Sequence, residues 1–284
     1  MTYDLLIIGG GINGCAIARD AAGRGLSVCL CEQNDLASGT SSASTKLIHG
    51  GLRYLELFEF KLVHEALAER ERLLASAPHI IWPLKFVLPY EQGGRPIWML
   101  RLGLYFYDHL TWRKRLDGSR MVRLSGNDDG APLREAYSLA FTYFDCWVDD
   151  ARFVVLNALD AKERGAEIKI GACVIEARRI GDLWRVKLTD GQELLAHSLV
   201  NASGPWVSKV IEDVLQSASQ KHVRLVKGSH IVTRKLYSGD QAYILQNSDG
   251  RIVFVIPYEK EFTLIGTTDV SFDAPPGPVT VSYT

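Results

Sequence analysis

Residues 5–14 read LLIIGGGING, and this stretch decides the fold. Its four apolar residues are typical of a strand buried on both faces, and the glycines that follow have the spacing G-x-G-x-x-G. Residues 12–24 then carry the pattern of a helix, and residues 27–31, SVCLC, that of a second buried strand. The chain therefore begins with a β-α-β unit, which predicts an α/β fold.

The glycines of this turn have separate physical tasks. Gly9 permits the tight turn, Gly11 lets the backbone approach a pyrophosphate, and Gly14 lets helix and strand pack closely. The helix N-terminus offers unpaired N–H groups to the phosphates. Glu32 ends the second strand, where a carboxylate binds ribose hydroxyls and disfavours a 2′-phosphate. The motif is compatible with FAD or NAD, and the nucleotide contacts it predicts are Gly9, Gly10, Gly11, Asn13, Gly14 and Glu32.

Composition limits the classes of protein to consider. The chain has 284 residues, 47% hydrophobic and 23% charged, so it can bury a large core. A net charge of -1 argues against nucleic acid as a partner. Five cysteines without a C-x-x-C pair favour a reduced, cytosolic-side protein, with Cys29 and Cys31 packed on one strand face and no metal site. No cleaved signal peptide and no spanning helix are expected, but a surface-bound helix remains compatible.

The rest of the chain alternates in pattern between helix and strand. Helices are predicted at about 60–76 and 149–164, and the turn-rich segment 118–132 predicts an exposed loop. Short strands are predicted over residues 167–175, 183–188, 193–195 and 199–201, and a second sheet over residues 231–233, 242–245, 252–256 and 263–265. The proline-rich end, without a closing element, predicts that the chain is part of a longer protein.

Residues 49–54, HGGLRY, form the first candidate for reaction chemistry. Arg53 suits bidentate capture of phosphate or carboxylate, and His49 is a natural proton acceptor near neutral pH. Tyr54 adds a phenol beside them. For His49 alone, a structural hydrogen-bonding role is an equal alternative.

Two later motifs are further candidates. In KGSH, residues 227–230, His230 is a candidate base and Lys227 an anion partner. In GTTD, residues 266–269, small residues and hydroxyls lie at a strand end. The sequence alone does not bring these motifs together.

Two loops are candidates for contact with a nucleotide. The loop at residues 38–45 and Lys46 supply hydroxyls and a cation for a pyrophosphate, although such loops are often only solvated. In NASGPW, residues 201–206, a strand breaks into small residues, which either suits close backbone approach to a nucleotide or marks a tight turn.

Six collinear motifs give the chain a more specific resemblance. They are SSASTKLIHGGLRYLE (41–56), CWVDDAR (146–152), NASGPWV (201–207), KGSHIV (227–232), AYILQN (242–247) and IGTTD (265–269). Together they resemble the aerobic, FAD-dependent glycerol-3-phosphate dehydrogenases. The resemblance implies a FAD-binding Rossmann-type domain, interleaved with a mixed-sheet substrate domain of the glycine-oxidase type. The expected division is 1–78 with 141–215 for the FAD-binding domain and 79–140 with 216–284 for the substrate and membrane-facing domain.

The family resemblance also implies an activity and a set of site residues. The activity is oxidation of sn-glycerol 3-phosphate to dihydroxyacetone phosphate, with electrons passing through FAD to membrane quinone. Beyond the glycine turn and Glu32, the expected FAD contacts are Ser41, Ser42, Lys46, Val174, Ser203 and Gly204. The expected catalytic residues are His49, Arg53, Tyr54 and His230. Arg53 positions the phosphate, and either histidine transfers the proton or orients the flavin.

Members of the family continue past the equivalent of Thr284 with a further substrate-binding arginine, a Gly-Gly-Lys flavin contact and a helical cap. Weak FAD binding or slow turnover is therefore expected of this stretch alone. An amine oxidase of the glycine or sarcosine type and a non-catalytic FAD-binding module are the alternative functions. Oligomeric state is left open, with a homodimer as one form.

Residues 95–123 combine basic and aromatic side chains. The basic ones are Arg95, Arg101, Arg113, Lys114, Arg115, Arg120 and Arg123, against only Asp108 and Asp117. They are mixed with Trp98, Met99, Leu102, Tyr105, Phe106, Tyr107 and Trp112. This combination predicts an interfacial helix and peripheral attachment to the cytoplasmic side of the membrane. A core helix with a solvated basic end is the alternative.

Overall fold

The computed structural model describes residues 1–91, 93–112, 115–217, 223–247, 251–274 and 276–277. The chain divides into two compact units. Unit 1 comprises Met1–Ser44, Asp149–Val226 and Ser271–Thr284, and unit 2 comprises Thr45–Val148 and Lys227–Val270. Each unit contains a mixed sheet and helices, which confirms the predicted α/β class.

The helices and strands alternate along the chain. The longer helices are α1 (Ile12–Gly23), α2 (Phe60–Ser76), α3 (Ile97–His109) and α4 (Asp150–Glu163), and short helical segments cover Val207–Lys209 and Val210–Val214. The first strands are β1 (Thr2–Ile8), β2 (Val28–Glu32), β3 (Leu47–Ile48), β4 (Ile81–Pro89), β5 (Arg120–Arg123), β6 (Leu139–Val148), β7 (Glu167–Ile170) and β8 (Val174–Ile180). The later strands are β9 (Leu183–Leu188), β10 (Glu193–Asn201), β11 (Val226–Lys227), β12 (His230–Arg234), β13 (Ala242–Gln246), β14 (Ile252–Tyr258), β15 (Phe262–Gly266) and β16 (Val270–Ser271). Short 3-10 turns form at Thr40–Ser42, Leu52–Leu57 and Gly204–Trp206.

The sheet of unit 1 has the order β7-β2-β1-β10-β9-β8. Strand β1 is parallel to both β2 and β10, which places their carboxyl ends at one edge. Ile7 and Leu30 pack on the side of Ala18 and Val154, from α1 and α4 respectively. Both faces of these strands are covered, which explains their continuous apolar runs. On the other face, Cys29 and Cys31 lie buried with their sulfur atoms 3.9 Å apart, so the predicted shared face is confirmed.

The main sheet of unit 2 has the order β12-β15-β14-β13-β4-β6-β3, with β5 also paired to β6. Its core includes Leu67 of α2 and Leu104 of α3, packed with Phe86 of β4 and Phe141 of β6. Strand β4 pairs with β6 over its full length, from Ile81 opposite Val148 to Pro89 opposite Ala140. Among the residues described, no helix is long and apolar enough to cross a membrane.

The observed units differ from the expected domain division at residues 45–78 and 141–148, which lie in unit 2. The cause is long-range pairing, because β3 pairs with β6 and α2 buries Leu67 in the core of unit 2. Of the described residues expected in the second domain, 216–217, 223–226, 271–274 and 276–277 lie in unit 1.

Several secondary-structure predictions were wrong in detail. The predicted loop 118–132 contains β5, because these residues pair with β6. The predicted strand 167–175 is two strands separated at Gly171, whose φ of 72° turns the chain, whereas residues 193–201 form one continuous strand. Strand β4 was not predicted, because Pro83 and Pro89 are untypical of a strand.

Candidate functional site

The glycine turn lies between β1 and α1, as the sequence predicts. Gly9 has φ 113°, and a Cβ there would lie 2.6 Å from the carbonyl oxygen of Ala202. A Cβ on Gly14 would lie 1.9 Å from the carbonyl oxygen of Gly9. These two positions therefore exclude any side chain. Gly10 is also crowded, because a Cβ would lie 2.8 Å from the side chain of Glu32.

Gly11 has a different environment from its neighbours. It is the N-cap of α1, with φ -81° and ψ -176°, and it has no side chain of its own that could cap the helix. A Cβ on Gly11 would meet, among the described residues, only the Ser41 hydroxyl at 3.1 Å. The space before the helix N-terminus is therefore open on this side. Asn13, the next polar residue, is exposed in the first turn of α1.

Two side chains fix the turn from neighbouring loops. The Glu32 carboxylate accepts hydrogen bonds from the N–H of Gly10 at 2.7 Å and of Asn34 at 2.8 Å. The Ser41 hydroxyl accepts a hydrogen bond from the N–H of Ile12 at 3.0 Å. Ser41 thus occupies one N–H of the α1 terminus, and Glu32 holds its carboxylate beside the turn. Both predicted residues belong to the same small site.

The loop after β10 completes this end of unit 1. The N–H of Ala202 donates to the carbonyl oxygen of Ile8, so β10 and β1 end together. The Ser203 hydroxyl donates to Asn201 at 2.6 Å and is thereby occupied within its own loop. Gly204 has φ 57°, a conformation that favours glycine.

Three predicted FAD contacts lie in other surroundings. Ser42 is exposed, and its hydroxyl donates to the carbonyl oxygen of Gly39 at 3.3 Å. The side chain of Val174 is buried in the core beneath the sheet. Lys46 belongs to unit 2, where its ammonium lies 5.9 Å from the ring centre of Tyr258. Their contact with FAD stays a prediction.

In unit 2, His230 is the centre of a second cluster. Its Nε2 lies 3.0 Å from Thr45 Oγ1, and a Cβ on Gly266 would lie 2.5 Å from its ring. Burial lowers the pKa of His230 below its ordinary value, and the charge of Lys46 lowers it further. The imidazole is therefore neutral at pH 7 and able to accept a proton.

The motifs KGSH and GTTD meet in this cluster, although they lie far apart in sequence. The N–H of Ser229 donates to Thr268 Oγ1 at 3.0 Å, and the N–H of Thr268 donates back to the carbonyl oxygen of Ser229 at 3.2 Å. A Cβ on Gly228 would lie 2.7 Å from Thr267 Oγ1. Strand pairing of β12 with β15 thus joins two motifs that the sequence left separate.

Thr45 reaches this cluster because the sheet is curved. Strands β3 and β12 stand at opposite ends of the strand order, which would be about 29 Å apart in a flat sheet. Thr45 nevertheless contacts His230 from just before β3. The sequence offered no signal for this contact.

The first candidate motif lies on the surface of unit 2. His49 and Arg53 are exposed, and Tyr54 is 45% exposed. Gly51 has φ 72°, and a Cβ there would lie 2.6 Å from the Tyr54 ring. Within the part of the chain that the structure describes, no hydrogen bond joins His49, Arg53 or Tyr54 to His230.

A buried polar network beneath this motif was missed from the sequence. Asp145 of β6 accepts hydrogen bonds from Arg70 at 2.6 Å and Tyr107 at 2.7 Å, and all three side chains are buried. Its sequence signals were a charged residue on the apolar face of α2 and another within the apolar run FTYFDCWV.

The site in unit 1 has the features of a FAD-binding site. Open space at Gly11, the N–H groups of the α1 terminus and the carboxylate of Glu32 match a pyrophosphate and a ribose. The chain matches the FAD dependent oxidoreductase (DAO) family over residues 4–283. It therefore belongs to this family, and the predicted cofactor is confirmed as FAD.

Individual relatives make the comparison more specific. The chain is 56% identical to a glycerol-3-phosphate dehydrogenase of Pseudomonas aeruginosa and 53% identical to a D-erythritol 1-phosphate dehydrogenase of Brucella abortus. The alignments cover 99% and 96% of this chain but 55% of each relative, so the chain spans about half their length. The predicted resemblance to the glycerol-3-phosphate dehydrogenases is confirmed.

Solved structures agree with the fold. A glycerol-3-phosphate dehydrogenase from Bacillus halodurans, solved with FAD, matches with TM-score 0.73 and 31% identity, over 96% of this chain and 48% of that chain. A glycine oxidase from Bacillus cereus matches with TM-score 0.72 and 20% identity, over 95% of this chain and 72% of that chain. The second likeness concerns the fold alone, and it confirms the expected glycine-oxidase-like architecture.

Proposed function

We propose that the protein to which this chain belongs oxidises sn-glycerol 3-phosphate to dihydroxyacetone phosphate and passes the electrons to membrane quinone. The observation that supports this reaction is a partly buried histidine, His230, held by Thr45 within a cluster of small residues. The relatives that are glycerol-3-phosphate dehydrogenases support the choice of substrate.

The reaction needs a hydride acceptor, a proton acceptor and a cation for the phosphate. FAD, when bound, supplies the hydride acceptor. His230 takes the proton of the alcohol on its imidazole, because burial and the charge of Lys46 lower its pKa and keep it neutral. Arg53, exposed on its 3-10 turn, binds the phosphate. His49 and Tyr54, on the same loop, orient the reacting groups.

D-erythritol 1-phosphate is a second candidate substrate. The relative of that name is 53% identical to this chain, nearly as similar as the glycerol-3-phosphate dehydrogenase. Both substrates combine a phosphate with an adjacent alcohol, so one cation and one base serve either. An amine oxidase function has weaker support, because the glycine oxidase match is only 20% identical.

Anaerobic reduction of the flavin tests the proposal directly. Full-length protein with bound FAD is mixed with glycerol 3-phosphate, D-erythritol 1-phosphate or glycine, and the visible absorbance of the flavin is followed. Bleaching by glycerol 3-phosphate with the highest second-order rate constant is the expected result. Preference for either other compound would replace the substrate, and bound flavin that none of them bleaches would favour a non-catalytic module.

Attachment to the cytoplasmic membrane surface is the second part of the proposal. Helix α3 exposes Trp98, Leu102 and Tyr105 by 66%, 46% and 56%. The neighbouring Phe58 is 80% exposed, and Phe60 contacts Phe106 with ring centres 5.9 Å apart. Apolar rings beside basic residues suit binding to anionic lipid. Arg113 and Lys114 of the predicted patch lie outside the described residues, and Arg120 and Arg123 lie on β5.

A further inference from the structure

The turn His49-Gly50-Gly51 is tied to the core of unit 2 by its backbone. The N–H of Gly50 donates to the Tyr107 hydroxyl at 2.8 Å and also points toward Asp145, at 3.4 Å. A Cβ on Gly50 would lie 2.3 Å from Leu67 and 2.8 Å from the Tyr107 ring. The backbone of Gly50 therefore lies directly against α2 and α3, and no side chain fits between them.

The hydrogen bonds behind Gly50 run in one direction. The Tyr107 hydroxyl accepts from Gly50 and donates to Asp145 at 2.7 Å. Burial raises the pKa of Tyr107 well above its ordinary value, and the Asp145 charge adds to this, so the phenol keeps the proton that it donates. Arg70 donates to Asp145 at 2.6 Å and to the carbonyl oxygen of Phe144 at 3.0 Å.

An ion pair in this position is a costly way to stabilise a core. Arg70 is 1% and Asp145 is 2% exposed. Apolar residues of similar volume often stabilise a core equally well or better than a buried ion pair. The pair does, however, fix the Tyr107 hydroxyl in one orientation, and that hydroxyl accepts from the Gly50 N–H of the turn that carries His49.

We propose that Tyr107 and Asp145 are positioning residues that set the geometry of the His49-Gly50-Gly51 turn for the reaction. Arg70 holds Asp145 in place. Neither Tyr107 nor Asp145 touches the substrate; they act through the Gly50 N–H on His49 and on the adjoining 3-10 turn that bears Arg53. The part that concerns catalysis rests on the proposed function.

The test compares two buried tyrosines that each lose one hydroxyl. Tyr107→Phe removes the nearer acceptor of the Gly50 N–H and leaves it Asp145 at 3.4 Å. Tyr243→Phe is the matched control, because Tyr243 is also 2% exposed in unit 2 but donates to the carbonyl oxygen of Asp129. Both are made in the full-length protein with FAD. Amide hydrogen exchange of the peptide containing Gly50, melting temperature, FAD content, kcat and KM are then measured.

We expect Tyr107→Phe to speed exchange at Gly50 at least about tenfold, equivalent to about 1.4 kcal/mol, and to lower kcat by a similar factor, because the Gly50 N–H loses a buried hydrogen bond. Melting temperature and FAD content should match those of the control. Unchanged exchange would overturn the proposal, and faster exchange with unchanged kcat and KM would overturn its catalytic part.

Asp145→Asn covers the case in which Tyr107→Phe does not fold, and it should give the same pair of changes. If neither variant folds, the parent protein decides, because protection of the Gly50 amide equal to that of β6 supports the network and exchange at the rate of an open loop overturns it. The exchange measurement needs no substrate. Failure of the proposed reaction is therefore distinguishable from failure of the network.

Discussion

The glycine turn of unit 1 yields the sharpest prediction. Alanine at one of its glycines should mainly weaken FAD binding, whereas alanine at another should mainly destabilise the fold. Gly11 has ordinary backbone angles, and an added Cβ would meet only the Ser41 hydroxyl at 3.1 Å among the described residues. Gly11→Ala should therefore fold, losing about 1 kcal/mol because alanine is a poorer N-cap than glycine. The added methyl group does, however, occupy the space that a pyrophosphate needs.

The expected loss in FAD affinity follows from the bonds at risk. Displacing the phosphates enough to lose one charge-assisted hydrogen bond costs about 1.5–3 kcal/mol, which is about 10- to 150-fold in Kd. Gly14→Ala should instead damage the fold, because its Cβ would lie 1.9 Å from the carbonyl oxygen of Gly9. Overpacking of backbone against backbone should cost about 3 kcal/mol or more, which lowers the melting temperature by about 6 °C or more.

The assay is titration of the apoprotein with FAD, followed by flavin fluorescence, together with thermal unfolding of the same samples. Gly103→Ala is the control, because Gly103 lies in α3 with nothing within 4 Å of its added Cβ among the described residues. It should keep the parent Kd and gain slightly in stability from helix propensity. A Gly11→Ala protein that binds FAD within twofold of the parent would refute the assignment of this space to the pyrophosphate.

Three further predictions concern the reaction and the membrane surface. Arg53→Ala should raise the KM for glycerol 3-phosphate about 10- to 150-fold, for the loss of one charge-assisted hydrogen bond, and leave FAD content intact; an unchanged KM would remove Arg53 from the phosphate site. In the pH profile of kcat/KM, the apparent pKa of the acid limb should lie below the ordinary pKa of histidine, because burial and the charge of Lys46 lower the pKa of His230. Lys46→Gln removes a cation that favours the neutral imidazole, so it should move this limb to higher pH, and a shift to lower pH would contradict the assignment. Trp98→Asp should weaken sedimentation with anionic liposomes more than Leu159→Asp, a change at a residue 48% exposed in unit 1; equal binding by both would place the membrane contact elsewhere.

The first β-α-β unit could be predicted because its signals are local. Strand, glycine turn and helix follow one another within residues 2–23, and each has its own pattern. Glu32 and Ser41 follow the turn in sequence, and both accept hydrogen bonds from its backbone N–H groups. Local spacing was therefore sufficient to predict the glycine turn and the place of Glu32 beside it.

The second cluster could be found only in parts. His230 and the GTTD motif were each predicted as candidates, but their contact depends on the register of β12 against β15. The contact of Thr45 with His230 depends on the curvature of the sheet. Strand β4 escaped prediction because Pro83 and Pro89 interrupt its pattern. Pairing between strands distant in sequence produces no periodic pattern of residue types, so it could not be predicted from local sequence patterns.

Helix α3 has an exposed face and a buried face. Trp98, Leu102 and Tyr105 follow at helical spacing and remain exposed, whereas Tyr107 is only 2% exposed and donates to Asp145. From the sequence, Tyr107 was grouped with the residues predicted to face the membrane, because composition does not show on which face of the helix a residue lies. The two faces are separable by experiment, since Trp98→Asp leaves the hydrogen bond of Tyr107 in place. It should weaken liposome binding without changing amide exchange at Gly50, and Tyr107→Phe should do the reverse.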